Sequence, residues 1–341
     1  MTSRKQSQLF ILIGLLALAL SLAACGGSEA TSAAPQPAAA SEQVQAKGEF
    51  IIGMSQANKA EPWRQAMNDQ IAAAAIKHSE LKVTFADAAQ DNAKQVADVE
   101  KFIEQGVDLI IISPNEAEPL TEVVAKAFDK GIPVIVLDRK VLGEKYSMWI
   151  GADNKLIGKK AGEYVAKWCQ ENKQSPCNVI ELRGLEGSTP ATERGDGFRA
   201  GIASNPDVKI IDSQNADWLR EKAIPISQKM LEANADVDVV YAHNDPMGEA
   251  AVISAKSAGK DMSKMLFVGI DALPTSDGGI KSVIEGRMGA TYVYPTGGAE
   301  AIEWAVKILE EKAQPPKSIV LETEEVLKPN AEELYIKFGG K

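Results

Sequence analysis

Polar side chains follow several apolar runs of this sequence, at the positions where we expect strands to end. Ser113 follows one run, Asp138 and Arg139 follow another, and Asn244 and Asp271 follow two runs in the second half. In open parallel sheets, ligands collect at the carboxyl ends of the strands. Carboxylate, guanidinium and amide groups at that edge can give paired hydrogen bonds to a ligand rich in hydroxyl groups.

Further candidates lie at predicted helix starts and in a glycine-rich segment. Trp63 and Arg64 follow a proline, Trp218 lies just before another predicted helix, and Arg194 lies within residues 184–197. An aromatic plane can pack against the C–H face of a sugar ring, although either tryptophan could instead belong to the core. Together these groups favour a pyranose or furanose sugar as the ligand, while a phosphate remains an alternative for Arg194.

Motifs for other kinds of chemistry do not occur in the sequence. Residues 184–189 resemble a phosphate loop but lack its lysine, and no G-x-G-x-x-G opens a helix. The two histidines, His78 and His243, do not have zinc-ligand spacing, and no G-x-S-x-G elbow supplies a serine nucleophile. With 47 acidic and 37 basic residues, the chain also lacks the basic surface that nucleic acid requires. We therefore predict a binding protein, not an enzyme, with no metal, cofactor or nucleic-acid partner.

Short strand-like runs alternate with longer amphipathic segments from residue 50 onward. Residues 109–112 and 134–137 are apolar throughout, which is typical of strands covered on both faces in a parallel sheet. Gly106, Gly131 and Gly259 each follow a helical segment as a stop signal. The pattern predicts an α/β protein of two similar doubly wound parallel-sheet lobes with a ligand cleft between them, and a first hinge near residues 151–152.

The first 48 residues have a different character. Arg4 and Lys5 precede an apolar run, residues 9–22, that leads into a small-residue site ending at Cys25. This resembles a bacterial lipoprotein signal, with an ordinary secretory signal or a single anchor helix as alternatives. We predict a signal peptide over 1–24, a lipid-anchored Cys25 and a disordered linker over 25–48, which is rich in small and polar residues. The body would then lie outside the cytoplasm, held to the membrane by lipid.

An extracytoplasmic location bears on the remaining cysteines. Cys169 and Cys177 form an even pair at the end of one predicted helix and the start of the next strand. In an oxidising compartment such a pair can form a local disulfide, although two free thiols remain the alternative.

Several segments of residues 50–321 resemble the bacterial sugar-binding proteins of ABC importers, specifically the ribose- and galactofuranose-binding group that shares its fold with LacI-type repressors. The matching segments are residues 132–139, 151–154, 193–198, 241–245 and 268–271. The resemblance implies ligand contacts at five positions and an aromatic stacking contact at Trp218. The five positions are Asp138, Arg139, Arg194, Asn244 and Asp271.

Four positions depart from the ribose-binding pattern. Ribose-binding proteins have two phenylalanines where this chain has Trp63 and Arg64, and an asparagine where it has Ser113. A glutamine of the family is replaced near Tyr294. The Trp-Arg pair resembles the galactofuranose-binding branch, which favours a hexose or a furanose form, with Arg64 as an additional donor.

The resemblance also implies how the chain is divided. Three hinge segments would join a first lobe, residues 49–151 plus 295–322, to a second lobe, residues 152–294 plus 323–341. A monomer of this type would close around a monosaccharide and present it to an ABC permease. The alternative is a sugar or quorum-signal receptor that presents its ligand to a chemoreceptor or sensor kinase.

Overall fold

The computed structural model describes residues 49–341. The predictions made for the signal peptide, Cys25 and the linker lie outside these residues. Among the described residues, none of the helices is both long and apolar enough to cross a membrane.

The first half of the described chain alternates strands and helices as the sequence pattern predicts. Its elements are β1 Phe50–Gln56, α1 Pro62–Ala75, β2 Leu81–Asp87, α2 Asn92–Gln105, β3 Leu109–Ser113, α3 Ala117–Asp129, β4 Val134–Leu137 and β5 Met148–Ala152. Local signals account for several boundaries. The Asp91 side chain accepts a hydrogen bond from the Lys94 amide at 3.0 Å and caps α2, and Gly106 ends that helix with a φ of 65°.

The second half repeats the alternation. Its elements are α4 Asn154–Glu171, β6 Cys177–Arg183, α5 Thr189–Ile202, β7 Val208–Asn215, α6 Arg220–Ala233, β8 Val239–Ala242, α7 Asp245–Ser257, β9 Leu266–Val268, α8 Gly279–Ile284, β10 Ala290–Tyr292, α9 Gly298–Leu309, β11 Ser318–Leu321, β12 Glu325–Leu327 and α10 Ala331–Lys337. A disulfide joins Cys169 at the end of α4 to Cys177 at the start of β6, with Cα atoms 5.9 Å apart.

The strands form two six-stranded sheets of matching order. One runs β2-β1-β3-β4-β5-β11 and the other β7-β6-β8-β9-β10-β12. Strands β3 and β4 are buried along their whole length, because helices cover both faces of the sheet. The prediction of two parallel-sheet lobes is confirmed by this architecture.

The chain passes between the sheets three times: after β5, after β10, and between β11 and β12. The sequence analysis did not predict β12, α8 or α10. Strand β12 has only three residues and pairs with β10 in the antiparallel direction, the one antiparallel pair among the described strands. Such a short run has too few residues to show an alternating or a fully apolar pattern.

Candidate ligand-binding site

The carboxyl ends of both sheets face one cavity of about 260 Å³. Nine of the predicted residues line it: Trp63, Arg64, Asp138, Arg139, Arg194, Trp218, Asn244, Asp271 and Tyr294. Glu61 and Pro190, which the sequence analysis did not select, also line it. Ser113 does not line it, and lies behind the wall, fully buried.

Arg64 is the centre of the first wall. Its Nε donates to Glu61 at 3.1 Å, and its two terminal nitrogens donate to Gln56 and Ser113, both at 2.8 Å, and to Asp138 at 3.2 Å. Burial alone would lower the pKa of Arg64, but the carboxylates of Glu61 and Asp138 outweigh it and raise that pKa. Four of its five N–H groups are therefore engaged by the protein, and one remains for a ligand.

Asp138 follows β4 with a φ of 66°, a left-handed conformation in which aspartate and asparagine are enriched. Its Oδ1 accepts a 2.6 Å hydrogen bond from the Tyr294 hydroxyl, and its Oδ2 accepts from Arg64 and, at 3.3 Å, from Ser113. Burial, with the charge of Asp138 acting in the same direction, raises the pKa of Tyr294 well above its ordinary value. The phenol is therefore held as a neutral donor.

Trp63 fixes the same tyrosine from the other side. Its ring stacks on the Tyr294 ring with centroids 4.9 Å apart, and its Nε1 donates to the Tyr294 carbonyl at 2.7 Å. Tyr294 belongs to the segment between β10 and α9, one of the three connections between the sheets. The Trp63 indole thus links the start of α1 directly to that connection.

Arg139 is 2% exposed and lies next to Arg64. It donates to the Asn115 carbonyl at 2.8 Å, approaches Glu61 at 3.6 Å and lies over the Trp218 ring at 5.5 Å. Burial, together with the neighbouring charge of Arg64, lowers the pKa of Arg139 to about 10. Arg139 therefore stays charged at neutral pH, with fewer protein hydrogen bonds than Arg64.

The second wall is built around Arg194 on α5. Its Nε donates to Asn154 at 2.8 Å, one terminal nitrogen donates to the His243 carbonyl, and the guanidinium lies 4.4 Å from the centre of the Tyr294 ring. Helix α4 brings Asn154 this close because it carries glycine at residue 158. A Cβ at Gly158 would lie 2.2 Å from the Arg194 carbonyl oxygen.

Asn244 and Asp271 complete this wall in different ways. The Asn244 side chain caps α7 by accepting from the Met247 amide at 3.1 Å, and it donates to the Trp218 carbonyl at 3.0 Å. The Asp271 carboxylate accepts no hydrogen bond from the described residues, and its nearest cation is Arg194 at 3.9 Å. Burial raises the pKa of Asp271 well above the ordinary aspartate value. Asp271 is thus the acceptor in this cavity that most needs a ligand donor.

Trp218 is part of the hydrophobic core and also lines the cavity. It is 4% exposed and belongs to the second-lobe core, while the guanidinium groups of Arg139 and Arg194 lie 5.5 and 5.3 Å from its ring centre. Its ring packs directly on Gly184, where a Cβ would lie 2.1 Å from the indole. Its buried Nε1 has no hydrogen-bond partner among the described residues.

The groups that hold the cavity side chains in place were not among the residues predicted from the sequence. Glu61 accepts from Arg64 and also from Asn58 at 2.6 Å, and it lies within 3.6 Å of Arg139. Its position just before the proline that opens α1 was the available signal. Asn154 lies in a segment already noted for its resemblance, but only the fold shows that this amide bonds both Arg194 and Tyr294.

The charges of the cavity balance. Three carboxylates and three guanidinium groups line it, and each of these residues is at most 6% exposed: Glu61, Asp138, Asp271, Arg64, Arg139 and Arg194. Buried charges are tolerated when they are paired and hydrogen-bonded. With equal numbers of acidic and basic groups, such a site offers many strong donors and acceptors, which suits a polyhydroxyl ligand. No group of described residues has the arrangement of a metal site.

Comparisons with known proteins agree with this geometry. A family profile described as "Periplasmic binding protein domain" matches residues 52–313, and the chain belongs to this family. The chain is 35% identical to the ribose import binding protein of Escherichia coli over 67% of its own length and 75% of that protein.

Two solved structures are similar over most of the chain. The fructose-binding periplasmic domain of a hybrid two-component system is 43% identical, with a TM-score of 0.80 over 85% of this chain and 94% of that one. A galactofuranose-binding protein is 31% identical, with a TM-score of 0.79 over 84% and 98%. The protein is therefore a sugar-binding protein of the ribose and galactofuranose type, a binding protein rather than an enzyme, and its family places it outside the cytoplasm.

Proposed function

We propose that this protein captures a neutral monosaccharide, a hexose or a sugar in its furanose form, and delivers it to an ABC permease. The observation that carries the proposal is the balanced set of three buried carboxylates and three buried guanidinium groups around one cavity. Charge-assisted hydrogen bonds from such groups select hydroxyl-rich ligands by position, because each unsatisfied partner costs free energy. The ligand contacts would come from the nine cavity-lining residues named above and from Glu61.

A preference for hexose or furanose sugars over ribose is supported by the side chains of the first wall. Arg64 keeps one free N–H group beside the cavity, and Tyr294 stacks on Trp63. The structural neighbours named above bind fructose and galactofuranose.

Ligand capture would proceed by closure of two lobes, residues 49–151 plus 295–322 and residues 152–294 plus 323–341. Contacts across the mouth of the cleft support a closed form. Lys140 pairs with Glu193 at 2.8 Å, its amide donates to Thr189 at 3.0 Å, and the Ala117 amide donates to the Gly187 carbonyl at 3.0 Å. Lobes joined by hinge segments close around ligands in this way.

Anchoring is proposed through acylation of Cys25, with residues 25–48 as the linker. A Cys25→Ala variant would then leave the membrane fraction and retain sugar binding, because the anchor and the cavity are separate parts of the chain. A variant that stays lipidated, or that loses sugar binding, would contradict this arrangement.

A signalling role is the second candidate, and one observation favours it. The neighbour at 43% identity is the fructose-binding periplasmic domain of a hybrid two-component system. Genomic neighbours separate the two functions, because a permease and an ATPase would accompany an importer, whereas a sensor kinase would accompany a receptor.

A thermal-shift screen tests the binding proposal. D-fructose, D-galactose, L-arabinose, D-ribose and methyl β-D-galactofuranoside would be compared at equal concentration, with gluconate and glucose 6-phosphate as charged controls. A ligand that binds only the folded state stabilises it by about 2.7 kcal/mol at 100 times its dissociation constant. Stabilisation by the charged sugars alone would refute a neutral ligand.

A further inference from the structure

A second polar cluster, with a buried centre, lies directly beneath the second wall of the cavity. Glu181 on β6 is fully buried and accepts hydrogen bonds from both terminal nitrogens of Arg199, at 2.9 and 2.7 Å, and from Ser213 at 2.6 Å. Its remaining partner is Nε2 of His243, at 3.1 Å. None of these four side chains lines the ligand cavity.

The hydrogen bonds of His243 define one state of its ring. Nδ1 faces the Gly184 amide at 3.3 Å, and since an amide N–H can only donate, Nδ1 must be the acceptor. The proton of the neutral ring therefore lies on Nε2 and is donated to Glu181. A doubly protonated ring would set an N–H group of His243 against the N–H group of Gly184.

Two connections lead from His243 to ligand-facing residues. Its carbonyl oxygen accepts from a terminal nitrogen of Arg194. Its Nδ1 holds Gly184, the glycine on which the Trp218 ring packs. Helix α5 lies directly against the cluster, since a Cβ at Gly195 would be in ordinary contact with Glu181 at 3.4 Å and with the His243 ring at 3.6 Å.

We propose that Glu181 and His243 form a positioning pair that aligns Arg194 and Trp218 for the ligand through the neutral, Nε2-protonated His243 ring. The pair touches neither the cavity nor a ligand. The pair acts through the backbone of Gly184 and through the carbonyl group of His243. The role of the pair in aligning side chains for a ligand rests on the proposed sugar-binding function, whereas the coupling of the His243 ring to Trp218 requires no ligand.

The charged surroundings of His243 determine where its state changes with pH. Glu181 and Arg183 face it from β6, Arg194 and Arg199 from α5, and Tyr241 from its own strand. Burial lowers the pKa of His243, and Arg194 and Arg183 act in the same direction against the opposing charge of Glu181. We expect the ring to stay neutral at pH 7 and to gain its second proton only in acid.

The first experiment is NMR of the isotopically labelled protein without sugar. The chain has two histidines, so a His78→Gln variant assigns the His243 ring, and a Trp218→Phe variant assigns the Trp218 indole among five tryptophans. We expect the Nε2-protonated tautomer at pH 7, and a Trp218 indole signal that shifts with the same acid midpoint as the His243 ring. The proposal is overturned if the His243 ring is Nδ1-protonated or charged at pH 7. It is also overturned if the Trp218 signal does not change over the pH range in which His243 titrates.

Paired substitutions separate positioning from simple packing. His243→Asn keeps an acceptor near the Gly184 amide, whereas His243→Gln reaches toward Glu181 and loses that acceptor. Ser213→Ala is the matched control, because it removes one hydrogen bond to Glu181 without touching His243. We expect His243→Gln to displace the Trp218 signal and His243→Asn to restore it in part, with no change in Ser213→Ala.

Sugar affinity provides the last comparison, with D-fructose as the probe in isothermal titration. We expect affinity to fall about tenfold in His243→Gln and to stay near wild type in Ser213→Ala. Equal losses in the two variants would mean that the cluster only stabilises the lobe. If D-fructose does not bind the wild type, the proposed ligand class fails while the NMR measurements still decide the positioning pair. If His243→Gln does not fold, the acid titration of the wild type decides it.

Discussion

Asp271 differs from the other two cavity carboxylates in having no hydrogen bond from the described residues to its carboxylate oxygens. A ligand hydroxyl can satisfy it, so removing the side chain should cost binding rather than folding. We expect Asp271→Ala to weaken sugar binding by about 2–5 kcal/mol, the usual cost of truncating a buried charged contact. Isothermal titration measures the loss, with the exposed Asp277→Asn as control. An unchanged affinity would exclude Asp271 from the ligand contacts.

Asp245, the residue after Asn244, should make the stability of the fold depend on pH. Burial raises its pKa to about 7, while it accepts hydrogen bonds from the Thr291 hydroxyl and the Ala272 amide, both at 2.7 Å. A carboxyl whose pKa is raised by folding stabilises the fold below its unfolded pKa, near 4, and that contribution is lost as pH rises through about 7. The empty protein should lose part of its stability over this range.

An Asp245→Asn variant tests this effect. The amide can accept from Ala272 and donate to the Thr291 hydroxyl without a charge. We expect its denaturation midpoint to exceed that of the wild type at pH 8 and to approach it at pH 4. The opposite order at pH 8 would show that the ionised carboxylate is well accommodated.

At the scale of elements, the disulfide staples α4 to β6. It lies at the amino end of β6, whereas the ligand cavity lies at the carboxyl ends of the strands. A cross-link over such a short loop is expected to contribute about 2–3 kcal/mol of stability. The double variant Cys169→Ser with Cys177→Ser should lose that much in chemical denaturation and bind sugar with unchanged affinity. A loss of affinity would connect the staple to the cavity.

The elements also show what could be read from the sequence. The rule that polar side chains follow apolar strands identified Asp138, Arg139 and Asp271, because the carboxyl ends of parallel strands meet at one edge. That rule does not predict which groups these side chains bond within the protein. Arg64 was predicted as a ligand donor, but four of its donors hold Glu61, Gln56, Ser113 and Asp138. The contacts with Ser113 and Asp138 join residues 49 and 74 positions apart in sequence, so no local pattern predicts them.

At the scale of the whole molecule, closure can be measured directly. Small-angle scattering should give a smaller radius of gyration with the cognate sugar than without it, because ligand joins the two lobes. A Glu193→Ala variant removes the Lys140 ion pair at the mouth and should need more sugar for the same change. Scattering that does not change at saturating sugar would argue against hinge closure.

The crossing between β11 and β12 has a consequence for the order of assembly. Strand β5 pairs on its outer side with β11, which leaves the ribosome only after all the strands β6 to β10 of the other sheet. Until then the first sheet keeps an open edge, and an open edge is a template for wrong pairing. Contacts so distant in sequence also form slowly. The first sheet therefore cannot be completed until the chain through β11 is available, and its β5 edge stays open until then.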